Sequence, residues 1–334
     1  MKEPSDKKCY VRSMALVSCQ KPLCDEWMDE PCPFESAYVR AQEPNSKEFI
    51  VPSEARRMSR ILKRTVCTSL TALNEAGIHD PNAIITGTGM GCMENSEKFL
   101  IDMATFGENC LKPSLFMQST HNTIGSLIGI VLKCHGYNNT YSHEGISFES
   151  ALLDGFVQLK LGVIRNALIG SHDENTPFSA LMFERIHPEY RVLTETSMSA
   201  VITTDSSNAI CEVASVCILH GADIDEVASK LNANEDKMIL LGVNDVKVND
   251  NPYLELLAEL SFKPVCLQYK NIFGDNFSSS AAGFYAAARI IERQTVPSFM
   301  LWRKDDDFTD KISGLTIVNR TEDSTWAIIR LKAV

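Results

Sequence analysis

The sequence predicts an α/β fold in which two similar halves pack together as alternating layers of helix and sheet. The chain has 334 residues, and 44% of them are hydrophobic, which is enough for a large core. Segments with strand character alternate with helical segments through short connections, a pattern typical of sheets covered by helices. Several segments recur in the same order, which favours a duplicated, five-layered α-β-α-β-α body.

The first half supplies the clearest elements. After a strand and a polar, proline-rich loop, a helix begins at Ser53 with apolar residues at helical spacing. Gly77 ends this helix as a C-terminal cap. The predicted strands of this half are 9–18, 82–86, 166–170 and 199–204, and the further helices are 94–105, 118–135 and 152–161.

The second half repeats this order. The segment pairs that resemble each other are 9–19 and 210–220, 84–87 and 239–242, and 140–161 and 268–293. Each half ends in two strands, which the sequence predicts at 298–302 and 325–331 in the second half. We favour a true duplication over chance similarity, with an N-terminal half over 9–204 and a C-terminal half over 209–332.

Charge and hydropathy exclude several classes of partner. The net charge of −11 argues against nucleic acid and anionic membrane surfaces. No apolar run approaches the roughly 18–20 residues that span a bilayer, so we expect no membrane insertion. Residues 1–8 are charged and no apolar segment of a signal peptide follows them. Eleven scattered cysteines, several in apolar runs, favour reduced thiols and a cytoplasmic location.

The sequence gives no clear metal or cofactor motif. Cys19, Cys24 and Cys32 lack the paired spacing of zinc ligands, and the acidic run 304–307 is typical of a solvated loop. The turn 87–91 reads G-x-G-x-G rather than the dinucleotide pattern G-x-G-x-x-G, which favours close backbone packing over nucleotide binding. We therefore expect neither a metal ion nor a cofactor.

The segment 139–151 is the most informative part of the chain. It predicts a tight strand-to-helix turn, the place where many enzymes mount a nucleophile, with Glu144 at the tip. With its neighbours, this segment resembles the β-ketoacyl-acyl carrier protein synthases, the condensing enzymes of fatty acid and polyketide synthesis. The pieces that carry the resemblance are 85–91, 138–170 and 270–290. The resemblance implies a thiolase-like fold of two duplicated βαβαβαββ halves.

The resemblance also implies that this chain lacks the family's reactive residues. Such enzymes carry a Cys at this strand-to-helix turn, the elbow, and two His residues elsewhere. Here the corresponding positions hold Glu144, Asn244 and Asp275. The family's Lys is kept as Lys270. His143, Lys270 and Phe273 are then expected in or beside the pocket. Condensation by this chain alone is not expected, because losing a covalent nucleophile typically costs on the order of 10⁶ in rate.

Degenerate subunits of this kind act as chain-length factors. Similarity to the short subunits of aryl polyene and flexirubin-type pathways implies a heterodimer with an active ketosynthase, served by an acyl carrier protein. The alternatives are a stand-alone thioester hydrolase or malonyl decarboxylase that uses Glu144, and a homodimeric acyl-binding protein. We expect Glu144 to be a structural anion that pairs with a cation of its own chain or of a partner.

A basic stretch offers one candidate docking surface. Arg56, Arg57 and Arg60 lie on the helix that begins at Ser53, in an otherwise acidic chain. A solvated helix face is the simpler interpretation. The alternative is that these cations bind an acidic carrier protein.

Overall fold

The computed structural model describes residues 7–108, 111–186, 192–233, 237–243, 251–303 and 311–334. The first half contains, in chain order, β1 (Cys9–Val17), α1 (Pro52–Ala55), α2 (Arg60–Ala76), β2 (Ala83–Gly87), α3 (Met93–Phe106), α4 (Pro113–Met117), α5 (Thr123–Leu132), β3 (Tyr137–Tyr141), α6 (Ser147–Lys160), β4 (Asn166–Asp173), α7 (Pro177–Ile186) and β5 (Thr196–Thr203). The second half contains β6 (Cys211–Leu219), α8 (Ile224–Asn232), β7 (Met238–Leu241), α9 (Pro252–Ala258), β8 (Val265–Gln268), α10 (Lys270–Phe273), α11 (Ser279–Arg293), β9 (Gly314–Arg320) and β10 (Trp326–Lys332).

The strands form a ten-stranded sheet with a symmetric order. That order is β3-β2-β4-β5-β1-β6-β10-β9-β7-β8. If the strands of each half are numbered from one to five, both halves have the order 3-2-4-5-1 when read inward from the edge. The two halves meet where β1 pairs antiparallel with β6. The repeat that the sequence predicts is therefore present in the topology of the sheet.

Helices α6 and α11 lie between the two half-sheets and form the middle layer. Their aromatic side chains meet at Phe148 and Phe284, whose ring centroids are 5.2 Å apart. Five buried alanines of α11 let both half-sheets approach this helix closely: Ala281, Ala282, Ala286, Ala287 and Ala288. Helices α2 and α5 cover the outer face of the first half-sheet, and α8 and α9 cover that of the second. The five-layered thiolase-like arrangement is confirmed.

Several boundaries differ from the prediction. The helix predicted from Ser53 is divided, because Ser59 is extended (ψ 173°) and α2 begins anew at Arg60. Gly77 ends α2 in a left-handed conformation (φ 67°), as predicted. The strand predicted at 298–302 is wrong. This segment is a single 3-10 turn, Ser298–Met300, that follows Pro297, and the strand of this region is β9.

Among the residues that the structure describes, no helix has both the length and the hydropathy to cross a membrane.

Candidate functional site

A sharp turn joins β3 to α6 and has the elbow shape that the sequence predicts. Glu144 sits at its tip with φ +48°, in the left-handed region. Three hydrogen bonds close the turn: Ile146 N donates to His143 O (3.1 Å), His143 N donates to Ser147 Oγ (2.9 Å), and Ser147 Oγ donates to Glu144 O (2.7 Å). A left-handed residue other than glycine costs roughly 1–2 kcal/mol, so surrounding contacts must hold this conformation.

The side chain of Glu144 is exposed. No lysine, arginine or histidine within the described ranges lies within ion-pair distance of its carboxylate. The part of the chain that the structure describes therefore does not supply the cation that we expected for Glu144. A cation from a partner stays a prediction.

Glu144→Gly is expected to raise the free energy of unfolding by about 0.5–1 kcal/mol. Glycine adopts the left-handed conformation without steric cost, and this gain exceeds its larger entropy in the unfolded chain. Chemical denaturation of the purified chain measures the change. Glu144→Ala is the control and should not stabilise, since alanine has the same steric conflict. Destabilisation by both variants would mean that the Glu144 side chain makes a stabilising contact.

His143 lies beside the elbow and is held against α6. Its Nδ1 is 2.9 Å from Ser150 Oγ, and its ring packs edge-on against Tyr141 with centroids 5.7 Å apart. These contacts fix the imidazole next to the first turns of the helix.

A fully buried carboxyl group lies directly under the elbow. Glu149, on the first turn of α6, is 0% exposed. Its Oε1 accepts from Asn319 Nδ2 (2.8 Å) and its Oε2 accepts from Ser280 Oγ (3.1 Å). Burial raises the pKa of Glu149 to about 7, against the opposing effect of the Asn319 hydrogen bond. Sequence reasoning missed both Glu149 and Asn319; the one available signal was a charged residue within the apolar run that opens α6.

Lys270 and Asp275 form the other side of the site. They make an ion pair of 2.9 Å and both are mostly buried. Phe273 between them is 0% exposed and packs edge-on against Trp27, with centroids 5.1 Å apart, so it supports the turn from the core. Asn244, the remaining predicted position, lies outside the described residues.

The glycine-rich turn after β2 packs closely against both the elbow and the Asp275 segment. A Cβ atom on Gly87 would lie 2.5 Å from Ser147 O, and one on Gly89 would lie 2.4 Å from Phe277 Cβ. Asp173 at the end of β4 accepts from the backbone N–H of Gly89 (3.0 Å) and from Ser278 Oγ (2.6 Å). The glycines therefore serve close packing, and a buried carboxylate occupies the N–H groups of the turn.

The two halves brace each other symmetrically at this site. Asp173, at the end of β4, bonds Ser278 at the start of α11. Asn319, near the end of β9, bonds Glu149 at the start of α6 and also donates to Gly145 O in the elbow (3.0 Å). Each fourth strand thus holds the beginning of the other half's central helix.

The basic stretch is only partly available for docking. Arg56 and Arg57 are exposed, whereas Arg60 pairs with Glu94 at 3.3 Å. The neighbouring Arg64 is buried. Within the described ranges no cluster of His, Cys, Asp or Glu has the arrangement of a metal site, and no disulfide joins the cysteines there.

Comparison with known proteins identifies the family. The model of the β-ketoacyl synthase N-terminal domain matches residues 26–240. The chain belongs to the β-ketoacyl synthase family. In this chain the elbow carries Glu144, and Asp275 follows Gly274 at the end of α10. No curated protein matched in a sequence search.

Solved structures of the family share the fold over the whole chain. One is titled the ishigamide ketosynthase/chain length factor, with a TM-score of 0.81 and 15% identity, covering 99% of this chain and 100% of that one. A second, AntDE:AntF, is a type II polyketide acyl carrier protein in complex with its ketosynthase bound to the hexaketide (TM-score 0.81, 11% identity, 98% and 100% covered). A third is a β-ketoacyl synthase from Burkholderia phymatum STM815, with a TM-score of 0.81 and 13% identity, covering 98% of this chain and 100% of that one.

Proposed function

We propose that this chain is a non-catalytic, chain-length-factor-like partner of an active ketosynthase in bacterial fatty acid or polyketide-type synthesis, of the aryl polyene or a related pigment class. It would form part of the acyl tunnel at the subunit boundary. The observation that carries the proposal is the uneven distribution of exposed apolar side chains. Among the described residues, all large exposed apolar side chains except Val51 and Val334 lie between positions 100 and 186.

Part of this surface surrounds an open sheet edge. Strand β3 lies at the end of the sheet and pairs with β2 alone among the described strands. Around it we define the apolar face as Ile130, Tyr137, Val157, Leu161 and Val163, which are 42–73% exposed. An edge strand flanked by apolar side chains is an aggregation hazard in a monomer, so a partner subunit that covers it is expected. Obligate interfaces of this kind bury roughly 2,000 Å² or more.

The chemistry of the elbow favours a partner role over catalysis. A carboxylate at a helix N-terminus is stabilised as an anion by roughly 0.3–1 kcal/mol, which makes it a poor nucleophile toward a thioester. Asp275 is already engaged by Lys270. Two similar structures, a ketosynthase/chain length factor and an acyl carrier protein in complex with its ketosynthase, support both a ketosynthase and an acyl carrier protein as partners. Arg56 and Arg57 are the exposed cations that we propose for carrier protein docking.

Co-expression with an active ketosynthase, sought among the genes adjacent to that of this chain, tests the proposal. A stable 1:1 complex is expected by size exclusion with mass measurement, and malonyl- or acyl-carrier protein should not turn over with the isolated chain. Two chains that stay separate at micromolar concentration would contradict the partner role.

The same preparations distinguish the alternatives. Turnover by the isolated chain that disappears in Glu144→Gln would support a stand-alone enzyme instead. A self-associated chain that carries acyl lipid in native mass spectrometry would support the homodimeric acyl-binding protein.

A further inference from the structure

The buried carboxyl group of Glu149 joins three elements at the junction of the two halves. It belongs to α6, and its two oxygens accept hydrogen bonds from Asn319 of β9 (2.8 Å) and Ser280 of α11 (3.1 Å). The same Asn319 Nδ2 also donates to Gly145 O in the elbow (3.0 Å). One amide group therefore connects the state of Glu149 to the backbone of the elbow.

Few charged groups face Glu149 from the elements packed around it. Lys270 of α10 is the cation that acts on it, and this lysine is engaged by Asp275 at 2.9 Å. Two tyrosine hydroxyl groups are buried nearby: Tyr269 directly follows β8, and Tyr253 lies on α9. Burial raises the pKa of both. Neither supplies positive charge. An ionised Glu149 would therefore depend on two neutral donors and on a cation that Asp275 also engages.

From this geometry we propose that Glu149 is a proton-operated clamp on the elbow. With a proton on Oε2, the carboxyl group is neutral, donates to Ser280 Oγ, and accepts from Asn319 Nδ2 through Oε1. Loss of that proton to solvent leaves an anion in a fully buried position. The junction then opens locally, Asn319 moves, and the bond to Gly145 O is lost. The strained conformation of Glu144 loses its support in the same step.

Burial raises the pKa of Glu149 from 4.5 to about 7 in the folded chain. Folding is then most favourable below pH 4.5, becomes less favourable as pH rises from 4.5 to 7, and is constant above 7. The linkage predicts an unfolding equilibrium constant that rises about 100-fold across this interval because of this one group.

The test compares wild type with Glu149→Gln, whose amide reproduces both hydrogen bonds without a titrating proton. Amide hydrogen exchange of residues 143–147 is measured at pH 5.5 and 8.5 and corrected for intrinsic rates. In wild type, the protection factors of these amides should be at least about tenfold lower at pH 8.5 than at pH 5.5. In Glu149→Gln they should be the same at both pH values. Glu174→Gln is the matched control, because burial also raises the pKa of Glu174 to about 7. That variant should leave the pH response of the elbow unchanged.

Two results would overturn the clamp. One is equal pH dependence of elbow exchange in wild type and Glu149→Gln. The other is a midpoint near 4.5 for the Glu149 carboxyl carbon, followed by ¹³C NMR in the wild-type chain. This second measurement needs no variant, so it decides the matter even if Glu149→Gln folds poorly.

Discussion

Arg64→Ala is expected to lower the free energy of unfolding by about 3–5 kcal/mol. The guanidinium group of Arg64 is 1% exposed and binds Glu43 at 2.5 Å and Glu195 at 2.7 Å. Glu195 is itself 0% exposed and also accepts hydrogen bonds from Tyr38 and from the backbone N–H of Ala41. Removing the arginine leaves the buried Glu195 carboxylate without its ion-pair partner, and breaking a buried pair in this way is strongly destabilising.

Arg60→Ala is the matched control for Arg64. Both arginines lie on α2 and both pair with a glutamate, but Arg60 and its partner Glu94 are 28% and 23% exposed and lie 3.3 Å apart. Solvent screens a pair of this kind, so its loss should cost less than about 1 kcal/mol. Denaturant unfolding at pH 7 measures both variants. Similar small costs for Arg60→Ala and Arg64→Ala would show that the burial of Glu195 does not depend on Arg64.

Ile130→Asp combined with Val163→Asp is expected to weaken binding to the ketosynthase at least about 100-fold. Burial of each of these apolar side chains in the complex would contribute about 1.5–3 kcal/mol to the binding free energy. Each aspartate would instead carry a charge into the interface. A loss of about 100-fold corresponds to about 3 kcal/mol of binding free energy. Titration calorimetry or surface plasmon resonance with the purified ketosynthase measures the change.

Val51→Asp is the control for this apolar face. Val51 is 55% exposed, compared with 73% for Ile130 and 68% for Val163, but it lies outside positions 100–186. The three side chains are exposed in the isolated chain, so these substitutions should alter its stability by no more than about 0.5 kcal/mol. Equal affinity of the double variant and Val51→Asp for the ketosynthase would place the interface elsewhere.

Local patterns were sufficient for most of the architecture. The alternation of strands and helices, the cap at Gly77 and the elbow before α6 depend on residues close in sequence, and each is present. The repeated order of segments correctly predicted that both halves have the same strand order. The strand predicted at 298–302 failed because a short apolar run does not reveal which strand it will pair with. The strand that pairs with β7 in this part of the sheet is β9.

The contacts that build the candidate site could not be predicted in the same way. Asn319 reaches Glu149 across 170 positions, and Ser278 reaches Asp173 across 105. Nothing in the local sequence of either partner indicates the other. Arg64 shows the same limit: its charge is typical of a solvated helix face, yet the loop that carries Glu43 covers it.

The sequence by itself determined the duplicated α/β architecture, the elbow with Glu144 at its tip, and the presence of Glu and Asp at the positions that resemble the family's Cys and second His. These features follow from residue identity, order and short-range spacing. Only the tertiary structure decided that Glu144 is exposed, that Glu149 is buried beneath it, and that exposed apolar side chains flank the β3 edge. Burial and long-range pairing arise when distant segments meet, and they determine which charges are solvated and which surface a partner must cover.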